Sequence, residues 1–124
     1  MDIKLVGIVA CGGAIGAVLR YSIPSLFPGH YGISNTIVIN LIGSLFLGIL
    51  FGAISAGLDI SEELILLIGT GFLGAFTTMS TFAMESIELI QDNQFMAIMY
   101  IFISVFGSIF LAWGGYSVMI NIMQ

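Results

Sequence analysis

Residues 71–86 read GFLGAFTTMSTFAMES. In a chain greasy enough to require lipid, this stretch sets Gly71 and Gly74 ahead of a run of hydroxyls, Thr77, Thr78, Ser80 and Thr81. An uninterrupted membrane helix has no use for such a middle. The glycines weaken the helix, and the hydroxyls can replace the backbone hydrogen bonds that a break would lose, so the stretch predicts a span broken between Gly74 and Thr78. Freed carbonyls at membrane depth are hard oxygen ligands suited to an alkali cation, whereas freed N–H groups and hydroxyls suit an anion. Beyond the break, Met79 and Phe82 fall three apart on one helical face, a spacing that simple core packing would also produce.

The rest of the chain is consistent with a membrane setting. Of 124 residues, 59% are hydrophobic and 7% charged, and the mean hydropathy is +1.16; both lie far outside the soluble globular range. The chain has room for one domain, residues 1–124. The formal net charge of −5 excludes a basic nucleic-acid face. Cys11, the single cysteine, cannot form an intrachain disulfide and is expected to be a packed thiol. The segment after Lys4 carries glycines and Arg20 instead of a small-residue cleavage site, so it is expected to be a retained span and not a signal peptide.

Four apolar stretches follow. The first runs from about Ile3 to Ile23 and is closed by Pro24, Pro28 and Gly29; the second runs from about Thr36 to Leu58, ahead of the acidic cluster Asp59, Glu62 and Glu63, expected to be a solvated loop. The third begins near Leu64 and ends around Glu85 to Asp92. The fourth runs from about Phe95 to Ile122. Each approaches the roughly 20 residues a helix needs to cross the hydrocarbon core. The expected fold is therefore all-α and integral to the membrane, with four transmembrane helices, the third broken.

Small residues recur four apart at Gly12 and Gly16, at Ser44 and Gly48, and at Gly48 and Gly52, a spacing that lets membrane helices approach closely. Four short helices hardly enclose a pathway on their own, so an oligomer is expected. Lys4 and Arg20 are the only basic residues and stand at opposite ends of the first helix. The Lys/Arg count on the two sides is thus a tie, and the positive-inside rule has no direction to choose. Such a chain can insert both ways, and oppositely inserted copies can pair about an axis in the membrane plane.

Polar groups inside spans are the candidates for function, because each costs free energy unless it lines water or finds a partner. Asn40 is the only amide well inside the second helix; an interhelical hydrogen bond worth about 1 kcal/mol would account for it as well as a functional role does. On the fourth helix Tyr100, Ser104 and Ser108 recur every four residues, a hydroxyl ladder over roughly 12 Å. Serine bonding back to its own helix is the competing explanation. His30 is a lone loop histidine, the acidic residues lack metal-ligand spacing, and no nucleophile has a base beside it, so no enzymatic reading is supported.

The blocks GGAIGAVLRY (12–21), NTIVINLIGSLFLG (35–48) and GFLGAFTTMSTFAME (71–85) resemble, in order and spacing, the fluoride channels of the Fluc (CrcB) family. The third block is the most specific. The resemblance implies a four-helix subunit in the cell membrane, an antiparallel dual-topology dimer, two fluoride pores that let cytoplasmic fluoride leave down its gradient and so protect the cell, and a structural sodium ion at the dimer centre. It implies that Asn40 is the pore asparagine, that Tyr100, Ser104 and Ser108 form a polar track, and that Met79 and Phe82 line the pore. It also puts Arg20 near a pore mouth, Glu85 at an acidic position after Thr81 and Phe82, and the backbone carbonyls of Gly74 and Thr77 on sodium. Met79 departs from the pattern, which usually has Phe there. The partner is either a second copy or a related subunit.

Fluoride gives these residue types a physical logic. A compact, strongly hydrated anion needs close N–H and O–H donors to replace water, which Asn40, Tyr100, Ser104, Ser108 and the threonines supply. The edge of the Phe82 ring carries the positive end of its quadrupole. A rival class is the proton-coupled cation exporter of the small multidrug-resistance type, also a short four-helix dual-topology dimer. Those exporters use a membrane-embedded Glu in the first helix, and residues 3–19 hold no acidic residue. A third reading, an assembly subunit that transports nothing, leaves the polar residues as glue between helices.

Overall fold

The computed structural model describes residues 1–26 and 32–124, with side chains at 32–34 excepted. Pro28, Gly29 and His30 lie outside the described residues. Helix α1 spans Ile3–Leu26 and α2 spans Gly32–Ser55. The third span comprises α3 (Glu62–Ile65), a π-helical stretch (Leu66–Leu73), α4 (Gly74–Phe76) and, after an interruption, α5 (Met79–Asp92). The last helix, α6, spans Gln94–Met123. Four segments are long and apolar enough to cross a membrane, and the protein is a multi-pass membrane protein.

The helix ends differ from the sequence expectation in ways that have local causes. Helix α1 does not stop at Pro24; the proline sits in its last turn, where the lost N–H costs one bond near a fraying end. Helix α2 ends at Ser55, ahead of Leu58, because Gly57 turns the chain with φ +94°, a conformation open to glycine. Glu62 and Glu63 are not loop residues. They form the first turn of α3, where Ser61 caps by accepting from the Leu64 N–H (3.3 Å) and negative charge complements the helix dipole. Asn93 alone separates α5 from α6, and its Oδ1 accepts from the N–H groups of Phe95 and Met96.

Two glycine seams hold the spans together. Along the first, α1 lies against the π-helical stretch and α4. A Cβ on Gly12 would strike the carbonyl oxygen of Leu67, and one on Gly16 that of Phe72. Along the second, α2 lies against α6; a Cβ on Gly48 would strike the Ala112 carbonyl, and one on Gly52 would come within 2.6 Å of the Tyr116 carbonyl oxygen. Backbone touches backbone, which is how helices gain dispersion energy when lipid removes the hydrophobic drive between them. Gly71 belongs to the first seam, where a Cβ would meet Val9 O at 2.8 Å. Its function is close approach, not breakage. Cys11, on the same helix as Gly12, is exposed in the single subunit and not packed.

Candidate functional site

The break falls at Thr77 and Thr78, both extended: ψ is 156° at Thr77, and φ and ψ are −147° and 113° at Thr78. Every backbone group at such a place must find a partner in a membrane, and the partners are specific. Leu73 O accepts from the Thr77 N–H (3.1 Å) and from Thr77 Oγ1 (3.0 Å). Asn40 bonds the backbone of Thr78 twice: Oδ1 accepts from its N–H at 2.8 Å and Nδ2 donates to its carbonyl at 3.0 Å. Thr78 Oγ1 in turn caps α5 by accepting from the Thr81 N–H at 3.3 Å. The interruption is thus a joint built from one amide and three hydroxyl-bearing residues.

This joint releases two carbonyls in particular. In a continuous helix the Thr78 N–H would bond Gly74 O and the Thr81 N–H would bond Thr77 O. Both donors are engaged elsewhere, by Asn40 Oδ1 and Thr78 Oγ1. Gly74 and Thr77 also border one groove. Hard, uncharged oxygens freed in this way fit an alkali cation. Among the described residues no group of three His, Cys, Asp or Glu side chains offers an alternative metal site.

That groove, of about 370 Å³, is lined by Asn40 and Ser44 of α2, Thr77 and Thr78 at the break, Met79 and Phe82 of α5, and Ser104 and Ser108 of α6. Its polar walls come from matched ladders. The seam contacts pair Gly48 with Ala112 and Gly52 with Tyr116; the same register, carried toward the helix N-termini, sets Ser44 level with Ser108, Asn40 with Ser104, and Thr36 with Tyr100. Residues four apart share a helix face, so Thr36, Asn40 and Ser44 on α2 form a second polar ladder opposite the one on α6. Sequence reading found the α6 ladder and missed this one, although its spacing is the same.

Ser104 separates the ladder from simple back-bonding. The Ser86 hydroxyl donates to the Phe82 carbonyl one turn back, at 2.7 Å. The Ser104 hydroxyl, buried to the same degree, has no hydrogen-bond partner among the described residues. A buried polar group left in this state costs about 1–3 kcal/mol unless something binds it. Phe82, also buried, lines the same groove, its ring 5.4 Å from that of Tyr100 and tilted by 35°. Met79 is 74% exposed in the single subunit.

Above the break a second recess, of about 700 Å³, is bordered by Arg20, Asn35, Thr36, Thr78, Thr81 and Glu85. Thr78 lines both recesses. Glu85 is held by two donors, Thr36 Oγ1 at 2.9 Å and Tyr100 Oη at 2.6 Å, so its carboxylate is satisfied within the bundle. Arg20 reaches across from α1, and its Nε donates to the Ala75 carbonyl at 3.1 Å. The predicted residues therefore fall into two groups: Asn40, Met79, Phe82, Ser104 and Ser108 share the groove, while Arg20 borders the second recess and Tyr100 joins the two through Phe82 and Glu85.

Fold and site together define a class: a small multi-pass helical membrane protein with an opened third span and a donor-lined groove beside the opening. The chain belongs to the CrcB family, whose model, described as CrcB-like protein, Camphor Resistance (CrcB), matches residues 7–116. It is similar to the fluoride-specific ion channel FluC of Pyrococcus furiosus, 39% identical over 118 residues covering 94% of this chain and 96% of that one. The protein of the same name from Methanococcus aeolicus is 41% identical over 119 residues, with the same coverage of both chains. That from Thermotoga maritima is 47% identical over 96 residues, 74% of this chain and 76% of the other.

Proposed function

We propose that this protein is a fluoride-selective ion channel of the cell membrane that lets cytoplasmic fluoride leave down its electrochemical gradient and so limits fluoride toxicity. The observation that carries this reading is the buried, unpartnered Ser104 hydroxyl on a groove shared with Asn40, Ser108 and the Phe82 ring. An O–H donor without a partner is what a dehydrated anion needs. Family membership and the names of the relatives support the choice of fluoride and of a channel over an enzyme. The acidic residues help by standing apart: Glu85 is engaged by Thr36 and Tyr100, and no carboxylate lines the groove.

The working unit is a dimer of oppositely inserted subunits, whether two copies of this chain or this chain with a related one. The groove is partly open, and Met79 on its lining is largely exposed in the single subunit; a partner would complete the wall. The carbonyls of Gly74 and Thr77 would hold a sodium ion between the subunits; Asn40 keeps the first free by taking the Thr78 N–H, and Thr78 Oγ1 keeps the second free by taking the Thr81 N–H. Bound sodium would supply a fixed positive charge where two helix breaks meet. Asn40 and Thr78 hold the opening, Ser104 and Ser108 donate, and Phe82 excludes water from the path.

Purified protein reconstituted into liposomes loaded with fluoride and then with chloride tests the proposal. Efflux of fluoride and not of chloride is expected. A dimeric, folded preparation that releases neither anion would overturn it, and proton-coupled movement of an organic cation would replace it with the exporter reading.

A further inference from the structure

Arg20 continues a stripe that begins with the first glycine seam. Gly12, Gly16 and Arg20 are four apart and so share one face of α1. Gly12 sits on Leu67, Gly71 and Phe72, and Gly16 sits on Phe72 and the Phe76 N–H, each too tightly for a Cβ. One turn further on, the same face brings Arg20 Nε to the Ala75 carbonyl at 3.1 Å, across 55 positions of sequence. The absence of side chains at 12 and 16 is what brings the arginine so near.

Ala75 is in the last helical turn before the break. Its own helical donor would be the N–H of Met79, which lies beyond the extended pair Thr77 and Thr78 and opens α5. The carbonyls at this helix end carry the negative pole of the half-helix. Leu73 is served by Thr77, Ala75 by Arg20, and Gly74 is released because Asn40 takes the Thr78 N–H. Arg20 thus acts on one side of the break as Asn40 does on the other.

We infer that Arg20 is a positioning residue of the broken span: its Nε–H fixes the Ala75 carbonyl and thereby the direction in which the half-helix delivers Gly74 and Thr77 to the groove. Its charge, as seen by an arriving anion, is secondary. The two roles demand different atoms. In glutamine the side-chain N–H₂ occupies the same fourth position along the side chain as Nε does in arginine, without the charge. In lysine that position is a methylene, and the charge lies one atom further out.

The test compares Arg20→Gln, Arg20→Lys and Arg20→Met in the full-length protein. Hydrogen exchange of the amides of residues 74–80, measured on the purified dimer, reports the joint without reference to what is transported. Exchange in Arg20→Gln is expected to stay near the parent, while Arg20→Lys and Arg20→Met exchange about tenfold faster, the scale of one part-buried carbonyl left without its donor. Fluoride efflux should rank Gln above Lys above Met; only this arm rests on the proposed function. A parent protein that passes no fluoride would remove that function and leave the exchange order to decide. Protection and efflux retained in Arg20→Lys but lost in Arg20→Gln would mean that the charge, and not a donor at the Nε position, holds the joint, and would overturn the inference. Parent-like protection in Arg20→Met would overturn it as well.

Discussion

The two halves of the third span each carry a glutamate bonded to another helix, and the two are in opposite situations. Before the break, Glu63 meets Lys4 at 3.2 Å with both side chains largely in solvent, 44% and 70% exposed. After it, Glu85 accepts hydrogen bonds from the hydroxyls of Thr36 and Tyr100 inside the bundle. The first half is otherwise held by glycines against the backbone of α1, while the second presents hydroxyls and an aromatic ring toward α2 and α6. One half is an anchor built from missing side chains. The other is a site built from polar ones, and only there should a change of chemistry without a change of shape be felt.

The largest effect should come from filling a seam. Gly48→Leu puts a side chain where even a Cβ strikes the Ala112 carbonyl, and forcing α2 from α6 should cost about 3 kcal/mol or more. The variant is expected to lose its discrete elution in size-exclusion chromatography. Gly7→Ala, at a glycine with nothing within 4 Å of the added atom, should elute as the parent does. If Gly48→Leu assembles normally, close backbone approach is not what holds a glycine seam together, and the matching α1 seam at Gly12 and Gly16 loses its standing as the anchor of the first half.

Next in size is Asn40→Asp, which changes chemistry at nearly constant shape. The carboxylate still accepts from the Thr78 N–H but no longer donates to the Thr78 carbonyl, and it adds negative charge to the groove. Losing one buried hydrogen bond and leaving its partner unsatisfied costs about 2 kcal/mol, so fluoride efflux should drop roughly 30-fold or more with elution unchanged. Parent-like efflux from Asn40→Asp would mean that neither the Nδ2 bond to the Thr78 carbonyl nor the charge of the groove controls passage.

How far these positions could be read beforehand follows the same division. Seams are legible because close approach leaves only glycine, and Gly12, Gly16, Gly48 and Gly52 announce themselves by spacing. The break was legible as an interval but not as a position. Gly71 and Gly74 turned out to be seam and helix residues, and what ends the helix is the capture of the Thr78 N–H by Asn40, 38 positions away. The π-helical register of Leu66–Leu73 left no trace in composition. Thr36 is not legible from spacing alone, because its value lies in facing Glu85, 49 positions away. Cys11 was expected to be packed because it is apolar, yet an apolar residue on a membrane subunit is as well placed facing outward.

A smaller effect separates pore from packing. Phe82→Ile keeps apolarity and much of the bulk but removes the ring that faces Tyr100 and borders the groove. An aromatic contact is worth about 1 kcal/mol, so efflux should fall roughly five- to tenfold while the dimer persists. Met79→Phe, at an exposed position, should cost less flux than Phe82→Ile. Packing alone predicts the reverse order, because isoleucine is the gentler change in a tight core and a rigid ring in place of methionine is the harsher.

The smallest effect should be at Glu63, and it has to be tested from the acidic side. The ion pair with Lys4 lies in solvent, where the attraction between exposed charges is largely offset by side-chain entropy and salt screening. Glu63→Gln removes the pair and leaves Ser61 to cap α3, so elution and fluoride efflux should match the parent within about twofold. Lys4→Gln removes the same pair but is a different experiment. With Lys4 gone, Arg20 is the only basic side chain left, and orientation follows the Lys/Arg count while Asp and Glu contribute little. If oppositely inserted subunits must pair, Lys4→Gln expressed alone should lose activity through biased insertion, visible with reporter tags at either terminus, whereas Glu63→Gln should not. Equal losses in the two variants would mean that the ion pair itself holds the first half-span in place, and the anchor would then be electrostatic as well as glycine-packed.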